Sequence, residues 1–141
     1  MPPPLSAQVR VRTYELDSFG HVNNSVYLNY LEEARSEFLG QMGVSFHDFA
    51  VHGVQLVIVE SHVRYVRAAR YGDVIEITGV LRDVKAASFA LEYTLTETGS
   101  RCLIASAWTR GAFVRADTGR PTRAPQVFQS AFRAFSETSE T

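Results

Sequence analysis

The sequence predicts an α+β domain in which one long helix is segregated from an antiparallel sheet. Three observations carry that expectation. One stretch near the N-terminus has apolar residues at three- and four-residue steps, Val- and Ile-rich runs follow almost without break from residue 53, and the links between those runs are too short for parallel crossovers. A chain of 141 residues suits one domain. That domain is expected to span residues 1–141, with residues 1–6 and 136–141 as flexible ends. Apolar residues at 45% against 21% charged exclude a disordered chain.

The elements follow in order. Gln8–Tyr14 alternates, with Val9, Val11 and Thr13 on one side and Arg10 and Arg12 on the other, which reads as a half-buried strand. Leu16–Asn23 carries Asp, Ser, Gly and Asn and reads as a loop. Tyr27, Tyr30, Leu31, Ala34, Phe38 and Met42 then mark the buried stripe of the long helix. Asn23 or Asn24 can cap its start, and Gly40 or Gly43 can end it. Four strands are expected at His52–Val66, Asp73–Asp83, Ser88–Glu97 and Cys102–Arg115, paired as an antiparallel meander. Val127, Phe128, Ala131, Phe132 and Phe135 suggest a short amphipathic helix after the link Asp117–Pro125.

Charge and composition exclude several classes of function. Lys and Arg total 14 against 15 Asp and Glu, so the chain has no bulk attraction to nucleic acid, and no nucleic-acid partner is expected. A single cysteine, Cys102, excludes an internal disulfide framework and any Cys-pair zinc site. No run approaches a membrane span, and Met1–Pro4 has neither a basic nor an apolar leader region. A cytoplasmic protein without membrane insertion is therefore expected.

Chemistry concentrates in Tyr14-Glu15-Leu16-Asp17-Ser18-Phe19-Gly20-His21-Val22-Asn23-Asn24. This stretch leaves a strand, passes a glycine turn and enters the start of the long helix, where unpaired N–H groups and the positive dipole end favour developing negative charge. An acid, Asp17, and an imidazole, His21, thus lie a few residues from a position suited to a carbonyl oxygen, the parts that acyl transfer needs. The same pattern also serves as a plain capping turn.

Asp17-x-x-Gly20-His21-Val22-Asn23-Asn24-x-x-Tyr27-x-x-Tyr30-x-Glu32-Glu33-Ala34-Arg35 resembles the signature of the hotdog-fold acyl-CoA thioesterases, in the 4-hydroxybenzoyl-CoA thioesterase branch. Tyr65-x-x-x-x-Arg70-x-Gly72-Asp73 and Asp117-x-Gly119-Arg120-Pro121 extend the similarity over most of the chain. The resemblance implies an antiparallel sheet wrapped around one long central helix, and an acyl-CoA substrate hydrolysed to a carboxylic acid and free CoA. It makes Asp17 the nucleophile or general base. Backbone N–H groups near Val22, Asn23 and Asn24 would polarise the carbonyl, with His21 orienting nearby groups. It implies a homodimer or homotetramer with sites at the subunit interface, and no cofactor beyond the CoA carried by the substrate. Benzoyl-specific members have Tyr where this chain has Asn24, which speaks against assuming a 4-hydroxybenzoyl substrate. A hydrophobic acyl pocket with no fixed charge aimed at a distal acid is expected.

Secondary candidates complete the reading. His62, Arg64, Arg67, Arg82 and Lys85 are candidate substrate contacts, the cations for the phosphates of CoA. Glu32, Glu33 and Glu37 could supply the carboxylate instead, as in a second branch of hotdog thioesterases, or could be a solvated helix side paired with Arg35. His47, His52 and His62 lack partners at ligand spacing, so no metal is expected. The alternatives to an acyl-CoA thioesterase are an enzyme acting on acyl chains carried by acyl carrier protein and a hotdog module that binds acyl-CoA without hydrolysing it.

Overall fold

The computed structural model describes residues 4–136. Its elements run β1 (Leu5–Arg10), α1 (Val26–Gln41), α2 (Phe46–His52), β2 (Val54–Tyr65), β3 (Val74–Arg82), β4 (Ser88–Glu97), β5 (Leu103–Arg115) and α3 (Gln126–Ala134). The strands form one antiparallel sheet in the order β1-β3-β4-β5-β2. α1 lies across its concave face. This is the α+β hotdog arrangement, a sheet around a central helix.

The buried stripe of α1 is the one its spacing predicts: Tyr27, Tyr30, Leu31, Ala34 and Phe38 are all buried. They meet Ile75, Ile77 and Leu81 of β3 and Leu91, Tyr93 and Leu95 of β4 in one continuous core. The closest approach is at Gly79, where a Cβ would collide with the ring of Phe38. The glycine is thus what lets helix and sheet come together there.

Several expectations are corrected. β1 begins at Leu5, not Gln8, because Leu5 and Ala7 continue the inward alternation opposite Gly79 and Ile77. Leu5 and Ser6 are therefore strand residues, not part of a flexible end, and beyond Arg12 the expected strand gives way to a 3-10 turn at Thr13–Glu15. Ser136 is buried and bridges Leu81, so it is not frayed. Residues 1–3 and 137–141, expected to be flexible, lie outside the described residues. α2 was not foreseen, although Ser45 and Asp48 form a capping box and Gly53, at φ +64°, ends the helix. Ser25, not either Asn, occupies the cap position of α1, while Asn23 Oδ1 accepts from the Ser25 N–H and hydroxyl.

The meander holds for β3-β4-β5 but not for β2, which pairs with β5 at an edge of the sheet. The reason lies in the link between β2 and β3. Ala69 accepts from the Val22 N–H, and Arg70 bridges His21, so the link is committed to the loop before α1 and crosses to the β1 side. A bulge between Ile58 and Glu60 shifts the alternation of β2 just where the polar pair Glu60-Ser61 interrupts its apolar run.

Candidate active site

The loop from strand exit to helix start is tied down on three sides. Asp17 and His21 close on each other, with the Asp17 N–H donating to the His21 carbonyl at 2.7 Å. Gly20 sits between them at φ +78°, in the left-handed region that favours glycine. Glu15, 8% exposed, fastens the loop to α1: its Oε1 accepts from the Tyr30 hydroxyl at 2.7 Å and from the Arg12 N–H at 2.9 Å. Its carbonyl accepts from the Asn23 N–H at 2.9 Å. Burial first, and then the Glu15 carboxylate, push the Tyr30 hydroxyl far above its ordinary pKa, so it stays a donor.

Within this frame Asp17 Oδ1 accepts two backbone hydrogen bonds, from Phe19 N–H at 2.8 Å and His21 N–H at 3.1 Å. These two donors, Phe19 first, hold the carboxyl below the usual aspartate range, with the nearby His21 imidazole adding to them. Oδ2 is given no donor among the described residues. The result is an anchored carboxylate with one oxygen turned to other work.

The N–H groups near the helix start are not equivalent. Val22 N–H goes to Ala69 and Asn23 N–H to Glu15, so neither is open to a ligand. Ser25 N–H goes to Asn23 Oδ1. Among the described residues, only Asn24 of the three expected amides donates to no acceptor in the protein. The expectation of a shared Val22–Asn24 donor set thus narrows to one group.

Asp17, His21, Val22 and Asn24 line a cavity of about 180 Å³ together with Tyr27, Tyr65, Val66, Arg67 and Ala68. Tyr65 packs edge-on against Tyr27 at 5.2 Å, and its hydroxyl donates to the Asn24 carbonyl at 3.1 Å. Tyr65 therefore fixes the peptide on the C-terminal side of Asn24. Arg67 stands at the cavity with Nη1 on the Cys102 sulfur at 2.7 Å, which gives Cys102 a polar contact beyond simple packing.

The other sequence candidates lie elsewhere. His62 and Arg64 alternate with Val63 onto the outer face of the sheet, away from α1, where His62 stacks on Trp108 at 4.2 Å and meets Glu60 at 3.7 Å. Arg82 pairs with Glu92 at 2.9 Å, and Lys85 turns the chain toward Ser88. β3 begins beside the Asp17 loop and Arg82 ends it, roughly 27 Å further on at strand rise, with Lys85 in the turn that follows. Glu32, Glu33 and Glu37 are exposed on α1. Arg35 does not pair with them; its Nη1 donates to the Tyr93 hydroxyl at 3.1 Å. Sequence reasoning passed over Tyr65 as a site residue, although its place in the matched strand-exit segment was a usable signal. Among the described residues no group of three His, Cys, Asp or Glu side chains could hold a metal ion. None of the described helices is long and apolar enough to cross a membrane.

Comparison with known proteins bears directly on this geometry. The family described as the thioesterase-like superfamily matches residues 11–132. The acyl-acyl carrier protein thioesterase ATL3 of Arabidopsis thaliana is 33% identical over 129 residues, covering 91% of this chain and 67% of that protein. The long-chain acyl-CoA thioesterase FadM of Escherichia coli is 36% identical over 92 residues, covering 65% of this chain and 69% of that protein. The crystal structure of a 1,4-dihydroxy-2-naphthoyl-CoA thioesterase from Synechocystis superposes with a TM-score of 0.83 at 21% identity, over 92% of this chain and 96% of that one, a likeness of fold.

Proposed function

The chain belongs to the thioesterase-like superfamily, and from that premise we propose that it hydrolyses acyl-CoA to a carboxylic acid and free CoA at the Asp17 loop. The observation that carries the proposal is the pairing of two uncommitted groups in one cavity: Asp17 Oδ2 and the Asn24 N–H. The thioester carbonyl oxygen would take the Asn24 N–H, at the start of α1, where the dipole favours the developing oxyanion. Asp17 then acts on the carbonyl carbon in one of two ways. As nucleophile its Oδ2 adds to the carbonyl, the C–S bond breaks, CoA leaves as thiolate, and water hydrolyses the resulting anhydride. As general base it takes a proton from the water that attacks, the C–S bond breaks, and the CoA thiolate leaves and takes up that proton. In both, water supplies the oxygen and the protons of the products, so the reaction draws on no metal or further cofactor.

The remaining parts have supporting roles. His21 contributes its backbone N–H to Asp17, and its imidazole adds positive potential there. Arg67, at the mouth of the cavity, suits a phosphate of CoA. The active unit is a homodimer, itself able to pair into a homotetramer. β2 is a twelve-residue edge strand with Val59 55% exposed, the kind of edge that a second copy covers. The enzyme works in the cytoplasm.

Free-thiol release across aliphatic and aromatic acyl-CoAs tests the reading: release from several of them is expected, and none from any would reject it. A second reading, with the acyl group carried by acyl carrier protein, is favoured by the similarity to the Arabidopsis protein over most of the chain. A higher kcat/KM on the carrier-protein thioester than on the matching CoA thioester would establish it.

A further inference from the structure

A cavity of about 540 Å³ lies between α1 and the inner face of β2 and β5. Its walls continue those of the Asp17 cavity. Asn24, Leu28, Leu31 and Arg35 follow at steps of four, three and four along the helix, and Ser61 and Tyr65 share one face of β2. A chain leaving a thioester at Asn24 has this groove ahead of it. Leu28, Leu31, Leu39, Phe49, Leu56 and Ile58 make the groove largely apolar.

Arg35 breaks that pattern. It lies on the groove wall, partly buried, and among the described residues its guanidinium makes one hydrogen bond, to the Tyr93 hydroxyl, which in turn shares a 2.8 Å bond with Thr109 Oγ1. Among the described residues no carboxylate stands within 4.0 Å of it. A guanidinium has five N–H donors, so four remain for water or for a ligand. A saturated tail lying on it would strip that water and give no acceptor in return. Glu32 and Ser61 line the same groove and carry oxygen acceptors.

We propose that this patch recognises a hydroxyl group carried part-way along a long acyl chain. A hydroxyl can accept from Arg35 and donate to Glu32 or Ser61 at once. A terminal carboxylate would meet the like charge of Glu32, and a saturated chain satisfies neither neighbour. Helix rise puts Arg35 about 14 Å along the axis from Val26, beyond the reach of a benzoyl ring and level with the middle of a long chain. The proposal rests on the thioesterase reading above.

The experiment compares kcat/KM for saturated long-chain acyl-CoAs with the same chains hydroxylated at mid-chain, in the wild type and in Arg35→Met. The wild type is expected to favour the hydroxylated chain about ten- to hundredfold, the range of one hydrogen bond to a charged group. In Arg35→Met that ratio is expected to fall towards one. A wild-type ratio near one, the same ratio in the variant, or a preference for an ω-carboxylated chain would overturn the proposal. Competition of the free hydroxylated and saturated acids against a fluorescent fatty acid, on the wild type, reads the same preference without hydrolysis or a variant. Thiol release from no acyl-CoA would reject the thioesterase reading, while this competition would still decide the groove.

Discussion

At the scale of single residues, the loop separates anchoring groups from reacting ones. Asp17 gives one oxygen to two backbone donors and keeps the other. Donors to the ionised form lower a carboxyl pKa, so its value in the folded protein lies below that in the unfolded chain. The sign follows: the ionised loop favours the fold above the ordinary aspartate range, and that contribution is lost as pH falls through the lowered value. Carbon-13 NMR titration of the Asp17 carboxyl is expected to give a midpoint below that of the denatured chain, and a raised midpoint would refute the two-donor geometry. The Glu15–Tyr30 bond is a second residue-scale device. Tyr30→Phe leaves a buried carboxylate short of a donor, and urea unfolding is expected to register a loss of about 1–3 kcal/mol. Glu15→Gln, which keeps the accepting oxygen, is expected to cost less than Glu15→Ala. That Asp17, His21 and Asn24 lie together at one cavity was legible because the motif is contiguous in the chain. Which amide was open was not legible, because Val22 and Asn23 lose theirs to Ala69 and Glu15, and the first of these partners lies dozens of residues away. The face on which His62 and Arg64 lie was not legible for a related reason. A strand's alternation tells two faces apart but does not say which faces the helix until the bulge at Ile58/Glu60 is known.

At the scale of elements, α1 was readable from its spacing, since one wide apolar stripe must meet a sheet. α2 carried a capping box and a glycine stop in its sequence, but its 7 residues lack a buried stripe of their own. β2 was readable as a strand and its neighbour was not, because pairing with β5 depends on where the link after Tyr65 is held. The helix–sheet contact gives the sharpest test at this scale. Gly79→Ala pushes a methyl group into the Phe38 ring, and thermal unfolding is expected to show a destabilisation of about 1–3 kcal/mol. Adding Phe38→Leu to Gly79→Ala is expected to cost less than the sum of the two single changes, because the collision is shared. Strict additivity would mean that the ring and the new methyl do not meet.

At the scale of the whole molecule, the sheet curls around α1 but leaves β2 as an open edge and the groove beside it open to one side. In the dimer proposed above, a second copy would close that edge and cover Val59, exposed in a twelve-residue strand. Light scattering at assay concentration is expected to give a dimer or a tetramer, and Val59→Lys, which puts a charge on the edge, is expected to shift it towards monomer. An active wild-type monomer would reject this arrangement. The central claim, that the chain is a thioesterase working through Asp17, is tested most directly by thiol release from Asp17→Asn under saturating acyl-CoA, with melting temperature measured alongside. The account expects kcat to fall about 10²–10⁴-fold or more, the scale of a lost acid–base or nucleophilic group, in a protein that still melts cooperatively. Near-wild-type kcat in a folded Asp17→Asn protein would contradict it and move the chemistry to the glutamates of α1.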